Sequence, residues 1–188
     1  GPSDVELDRA ARIVRRLKLP DLAGQVIVAH WSGTKAPVRM VRDLNLGGVI
    51  AFDANVVSAA QIRGLNAALR KQVPRDWPLF IGVDQEGGAV ERLRGAATRF
   101  PAFMSSGAAA NAALTQSTYA AQAAELRGLG FTVNFAPVAD VTVGSRDPAI
   151  GARSVSTDPL AVAEHVTAAG LGLLESGIVP VLKHFPGH

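Results

Sequence analysis

Five short runs, each apolar at nearly every position, constrain the fold most: Val26–Ala29, Gly48–Phe52, Leu79–Val83, Val133–Val138 and Val179–Leu182. A strand with one wet face alternates apolar and polar residues. An unbroken apolar run is the pattern of a parallel strand covered on both faces by helices. The segments between the runs carry helical spacing. Ser58 and Gln61 form a capping box ahead of Ile62, Leu65 and Leu69. Thr115 is the expected cap of a helix carrying Tyr119, Ala123 and Leu126, with Gly130 as its stop. Asp158-Pro159 supplies a cap and a first-turn proline. Val162, Val166, Ala169 and Leu173 then make a buried stripe that ends at Gly177, and His165 is expected to face away from it. An N-terminal helix carries Leu7, Ala11, Val14 and Leu17 on one face and a solvated set of Arg9, Arg12, Arg15 and Arg16 on the other. Ala108 to Ala113 reads as a short helix or the lead-in to one.

Strands alternating with helices predict a parallel α/β fold, either an open sheet or a barrel. A (β/α)8 barrel needs eight strands and about 250 residues. The chain has 188 residues and about five β/α units, so on the barrel reading it holds only the N-terminal portion of a single catalytic domain. The start, Gly1-Pro2-Ser3, has no methionine and reads as the remnant of a cleaved tag.

Composition excludes several classes. With 48% hydrophobic and 19% charged residues there is material for a core, so a disordered chain is excluded. Zero cysteine excludes a disulfide scaffold, a thiolate metal site and a cysteine nucleophile. A net charge of +3 with 5% aromatics and no basic stripe gives no sign of a nucleic-acid partner. The richest apolar stretch, Ala168 to Leu182, is broken by Glu175 and Pro180, short of the roughly 18 residues of a membrane span. Four histidines, His30, His165, His184 and His188, do not form a metal-binding pattern, so no metal is expected. His30 and Asp53 follow the first two strands and are read as structural.

The unusual polar residues fall where parallel α/β folds bind ligands, at the carboxyl ends of strands. Strand three runs into Asp84-Gln85-Glu86-Gly87-Gly88, with Arg92 following. Strand four leads to Asp140, and strand five into Lys183-His184-Phe185-Pro186-Gly187-His188. Buried charge is costly unless paired or used, so three charged strand ends point to one shared polar pocket. Taken singly, Asp84 also fits a solvated strand end or a helix cap, and Gly87-Gly88 fits a simple turn. Lys183 and His184 point to opposite sides if their strand continues through them.

Four segments in this order and spacing resemble the family 3 glycoside hydrolases: Gly82 to Arg92, Asn134 to Asp140, Ile150 to Ser154 and Lys183 to His188. The last is similar to the β-N-acetylglucosaminidase branch rather than the β-glucosidase branch. The resemblance implies a (β/α)8 barrel and a sugar subsite made of Asp84, Arg92, Arg153, Lys183 and His184. It implies retaining hydrolysis through a covalent glycosyl-enzyme. It also implies that the acid/base histidine, its aspartate partner and the aspartate nucleophile lie beyond His188, with no cofactor. On this resemblance the expected ligands are N-acetylglucosamine-containing muropeptides or glycosides. A β-glucosidase or β-xylosidase and a non-catalytic sugar-binding protein are the alternatives. The remaining part of the barrel, or a second chain, is expected to cover the open sheet edges. The cell envelope is the favoured compartment, with the cytoplasm as alternative.

Overall fold

A computed structural model describes residues 2–188; Gly1, part of the expected remnant, and the side chain of Ser145 lie outside the described residues. In chain order the elements are α1 (Asp4–Val14), α2 (Leu19–Gln25), β1 (Val28–Ala29), α3 (Val38–Asp43), β2 (Gly48–Ala51), α4 (Ala59–Gln72), β3 (Phe80–Val83), β4 (Gln85–Gly87), β5 (Val90–Glu91), α5 (Phe103–Ala109), α6 (Ala112–Gly128), β6 (Val133–Asn134), α7 (Pro159–Glu175) and β7 (Val179–Pro180). Short 3₁₀ turns at Asp53–Asn55, Gly144–Arg146 and Gly151–Arg153 complete the chain.

The main sheet has the order β1-β2-β3-β6-β7, and every pair in it is parallel. Each of its strands therefore lies beside its predecessor in the chain. Doubly wound open sheets reverse their order at a switch point; this sheet does not, which is the strand order of a β/α barrel. The five strands expected from sequence are these five, all with helices between them. Among the described residues the sheet is not closed. Its inner face, including Val28, Phe80, Phe135, Val179 and Val181, lines an apolar hollow of about 160 Å³.

The strands are shorter than their apolar runs. Val26 caps the end of α2 and is exposed, so β1 begins at Val28. Phe52 and Leu79 fall just outside β2 and β3. Beyond Asn134 and Pro180 the regular ladder gives way to single contacts, with Val181 N–H donating to Asn134 O at 3.0 Å and Ala139 N–H to Lys183 O at 2.7 Å. Pro137 and Pro180 have no N–H to extend a ladder.

The helices confirm most stripes and correct several details. Ile62, Leu65 and Leu69 are buried, as are Val162, Val166, Ala169 and Leu173. At the start of α4, Ser58 accepts from Gln61 N–H, but the Gln61 side chain accepts from Val57 N–H at 3.1 Å, so the box closes one residue early. The cap of α6 is Asn111, which accepts from Leu114 N–H; Thr115 is buried inside the helix. Ala110, at φ 47°, breaks the alanine-rich stretch between α5 and α6. His165 does not face solvent. It is buried, with Nδ1 2.8 Å from the Thr115 hydroxyl, because α7 packs on α6 as well as on the sheet. Gly172 allows that contact, since a Cβ there would lie 2.2 Å from Gln116 O. α1 forms where its periodicity predicts, capped by Ser3 and Glu6, and its arginines are solvated. Its apolar stripe, however, is not fully buried: Leu7 and Val14 are exposed, and Ala11 and Leu17 are half-buried.

Candidate sugar-binding cleft

The turn after β3 builds the floor of the site. Gln85 points into the core, where its backbone N–H and C=O are held by the Asn134 side chain at 3.0 and 2.9 Å. The Gln85 amide oxygen in turn accepts from the N–H groups of Arg92 and Leu93. Residues two apart in an extended chain share a face. Gln85 thus turns inward while Asp84 and Glu86 both turn to the cleft. The reversal between β4 and β5 uses Gly87 and Gly88 at φ 99° and 61°, the left-handed region that disfavours other residues. It returns the chain so that Glu91 is buried, accepting from Phe100 N–H and Arg99, while Arg92 lies over the Phe52 ring at 5.5 Å.

β6 and the loop after it deliver Asp140 and Arg153. The Asp147 carboxylate accepts from the N–H groups of Ala149 and Ile150 and from the Thr142 hydroxyl, which shapes the loop. Ser154 donates to Asp140 O at 2.6 Å and ties the loop's far end back toward β6. The segment after β7 delivers Lys183 and His184.

These groups meet. Arg153 grips Glu86 with two parallel bonds, Nε to Oε2 and Nη2 to Oε1, both 2.9 Å. Lys183 Nζ lies 2.5 Å from Glu86 Oε1 and 2.7 Å from Asp84 Oδ1. His184 Nε2 lies 3.4 Å from Arg153 Nη2. Its Nδ1 lies 2.6 Å from Asp140 Oδ2, and Asp140 Oδ1 accepts from His188 N–H at 2.8 Å. Asp84, Arg92, Arg153, Lys183 and His184 all line one cleft of about 350 Å³. Lys183 and His184 therefore do not diverge to opposite sides; both reach the same cluster. His30 and Asp53 stay outside it. His30 stacks edge-on against Phe52, and Asp53 opens a 3₁₀ turn.

Sequence reasoning missed two members of the cluster. Glu86 is the partner shared by both cations, and Asp140 holds His184. The signal for Glu86 was its place two residues after Asp84, on the same side of an extended chain.

The charges explain the protonation states. Burial pushes the Glu86 carboxyl up, but hydrogen bonds from Arg153 and Lys183 outweigh it and hold the pKa below the ordinary value. Asp140 shows the same balance, with the His184 ring and the backbone N–H of His188 prevailing over burial. The Arg153 guanidinium is raised, first by its bonds to Glu86. Burial, with Glu86 nearby, pushes the Tyr119 hydroxyl well up, so it stays protonated. Two carboxylates so saturated, and held ionised, are poor proton donors. What the cleft offers is directional binding: carboxylate acceptors beside guanidinium and ammonium donors, suited to a ring with several hydroxyls. Arg92 Nε is buried and has no hydrogen-bond partner among the described residues. A buried donor left so is costly unless a ligand or water meets it.

Comparison with known proteins places this arrangement. Residues 17–188 match the family model described as the glycosyl hydrolase family 3 N terminal domain. A beta-hexosaminidase of Xylella fastidiosa (strain M23) is 41% identical over 167 residues, covering 86% of this chain and 49% of that protein. A solved glycoside hydrolase family 3 beta-N-acetylglucosaminidase from Paenibacillus sp. str. FPU-7 superposes with a TM-score of 0.87 at 36% identity, over 92% of this chain and 34% of that one. NagZ from Neisseria gonorrhoeae, solved in complex with N-trifluoroacetyl-D-glucosamine, gives a TM-score of 0.77 at 30% identity, over 86% of this chain and 50% of that one. The chain spans about half the length of these curated relatives.

Proposed function

The chain belongs to glycosyl hydrolase family 3, through the N-terminal domain of that family, and we propose that the full-length protein removes terminal β-linked N-acetylglucosamine from peptidoglycan fragments or glycosides. In this reading the present residues supply the sugar subsite. Asp84 accepts from ring hydroxyls, and Arg92, Arg153, Lys183 and His184 contact the same sugar. The reaction is retaining, with a covalent glycosyl-enzyme formed and then hydrolysed. Its nucleophile aspartate, acid/base histidine and the aspartate paired with that histidine lie beyond His188. The rest of the barrel covers β1, β7 and the apolar inner face.

One observation carries the reading: five side chains from three separate strand ends converge on a cleft of sugar size. The relatives support the choice of sugar, since proteins similar in sequence and structure include beta-hexosaminidases and a beta-N-acetylglucosaminidase. The test is release of p-nitrophenol by the full-length protein from the N-acetyl-β-glucosaminide and from the β-glucoside. Turnover of the N-acetyl substrate alone is expected. Turnover of the glucoside alone transfers the reading to the glucosidase branch. No turnover of either, with sugar binding intact, leaves a non-catalytic sugar-binding protein.

A further inference from the structure

Glu86 lines the cleft but presents little of itself to a ligand. Its side chain is 4% exposed, and both oxygens are taken: Oε1 by Arg153 and Lys183, Oε2 by Arg153. It acts instead on the two cations that line the cleft. The cluster contains three carboxylates, Asp84, Glu86 and Asp140, and three fixed cations, Arg92, Arg153 and Lys183. Three against three, these fixed charges balance, and Glu86 is the member that both completes the balance and fixes where Arg153 and Lys183 point.

We propose that Glu86 is a positioning and specificity residue that adapts this cleft to uncharged sugars and against acidic ones. The inference rests on the sugar-binding reading above. Its physical basis is that an isosteric neutral amide at position 86 leaves one cation uncompensated. It also gives up the two-pronged grip on Arg153, whose planar fork needs a carboxylate to be held bidentately.

The test compares two ligands that differ at one carbon: N-acetylglucosamine and its 6-carboxylate, 2-acetamido-2-deoxyglucuronic acid. Their affinities are measured by calorimetry on the full-length protein, wild type, Glu86→Gln and Glu86→Asp. Wild type is expected to prefer the neutral sugar. Glu86→Gln is expected to lose about tenfold to a hundredfold in affinity for the neutral sugar, the scale of a lost hydrogen bond to a charged group. Its preference is expected to move toward the acid by about tenfold, and added salt should erase that gain. Glu86→Asp keeps the charge with a shorter reach. It is expected to bind the neutral sugar more weakly while keeping the wild-type preference, and it carries the test if Glu86→Gln does not fold. Equal losses for both ligands in Glu86→Gln, or a swing toward the acid in Glu86→Asp, overturn the inference. A wild-type protein that binds neither ligand overturns the sugar reading itself; wild-type binding with an unchanged Glu86→Gln overturns only the role of Glu86.

Discussion

Asp140 Oδ2 stands 2.6 Å from Nδ1 of His184 and also accepts that residue's own backbone N–H at 3.2 Å. One carboxylate oxygen thus sets both the ring's tautomer and the position of its backbone. The other oxygen accepts from His188 N–H at 2.8 Å, so the segment after β6 anchors the turn that follows β7.

Asp140→Asn replaces one acceptor oxygen with an NH₂ group that faces the same donors. Hydrogen bonds to charged groups contribute about 1.5–3 kcal/mol, and a loss of that order is expected in urea unfolding of the full-length protein. The ¹⁵N shifts of the His184 ring should also change from the Nδ1–H form to a mixture of tautomers. Unchanged ring shifts would show that Asp140 does not set the tautomer.

Acid should destabilise the fold in a defined window. Glu86 and Asp140 both titrate below their ordinary values of 4.5 and 3.8. A carboxyl depressed in the folded state stabilises the fold above its unfolded pKa. That contribution is lost as pH falls through the folded pKa, because the unfolded chain then binds more protons. Melting temperature should therefore be flat in this respect down to about pH 5 and fall progressively below about pH 4.5. Glu86→Gln should flatten the decline. A melting temperature that rises between those values and pH 3 contradicts the ion-pair account.

Gly88→Ala should damage the hairpin. Position 88 lies at φ 61°, and a Cβ there meets Ala102 Cβ at 2.7 Å. A left-handed alanine costs about 1–2 kcal/mol and overpacking about 1–3 more, so a destabilisation of about 2–5 kcal/mol is expected by urea unfolding. Gly64→Ala is the control, since Gly64 lies in α4 with open space around it. It should be neutral or stabilising by up to about 1 kcal/mol.

Asn134→Leu keeps the branched shape, in a somewhat larger side chain, and removes the polar group. Asn134 is fully buried and serves the N–H and C=O of Gln85 as well as the Gln122 side chain. Each buried group left unpaired costs about 1–3 kcal/mol. A lower unfolding midpoint is expected, together with weaker sugar binding, because Gln85 positions Arg92. Lost stability with unaltered binding would separate the core from the cleft.

The strands and most helix stripes were legible because their signals are local: an apolar run, or a repeat every three or four residues. His165 was misread for the same reason. The stripe of α7 shows which face meets the sheet, but nothing within α7 shows that α6 covers a second face. Asn111 and Thr115 stand four residues apart, and both are cap-forming types, so the pattern alone did not choose between them. The five cleft residues were found through charge at strand ends and the resemblance of their motifs. Glu86 and Asp140 were in view in those motifs but not singled out. Their role exists only once Arg153 and His184 fold back to them, 67 and 44 residues away along the chain.

The pairing of Lys183 with Asp84 joins residues 99 positions apart. On the ribosome, the hairpin carrying Asp84 and Glu86 emerges long before the lysine that neutralises it, and the arginine comes between. Domains fold largely as units as they emerge, yet until Val179 pairs with Val133 Asp84 lacks its lysine and Glu86 has Arg153 alone. Completion of β7 and assembly of the cleft's ion pairs thus become one event, so a nascent chain stalled before residue 183 would hold a sheet with an unfinished site.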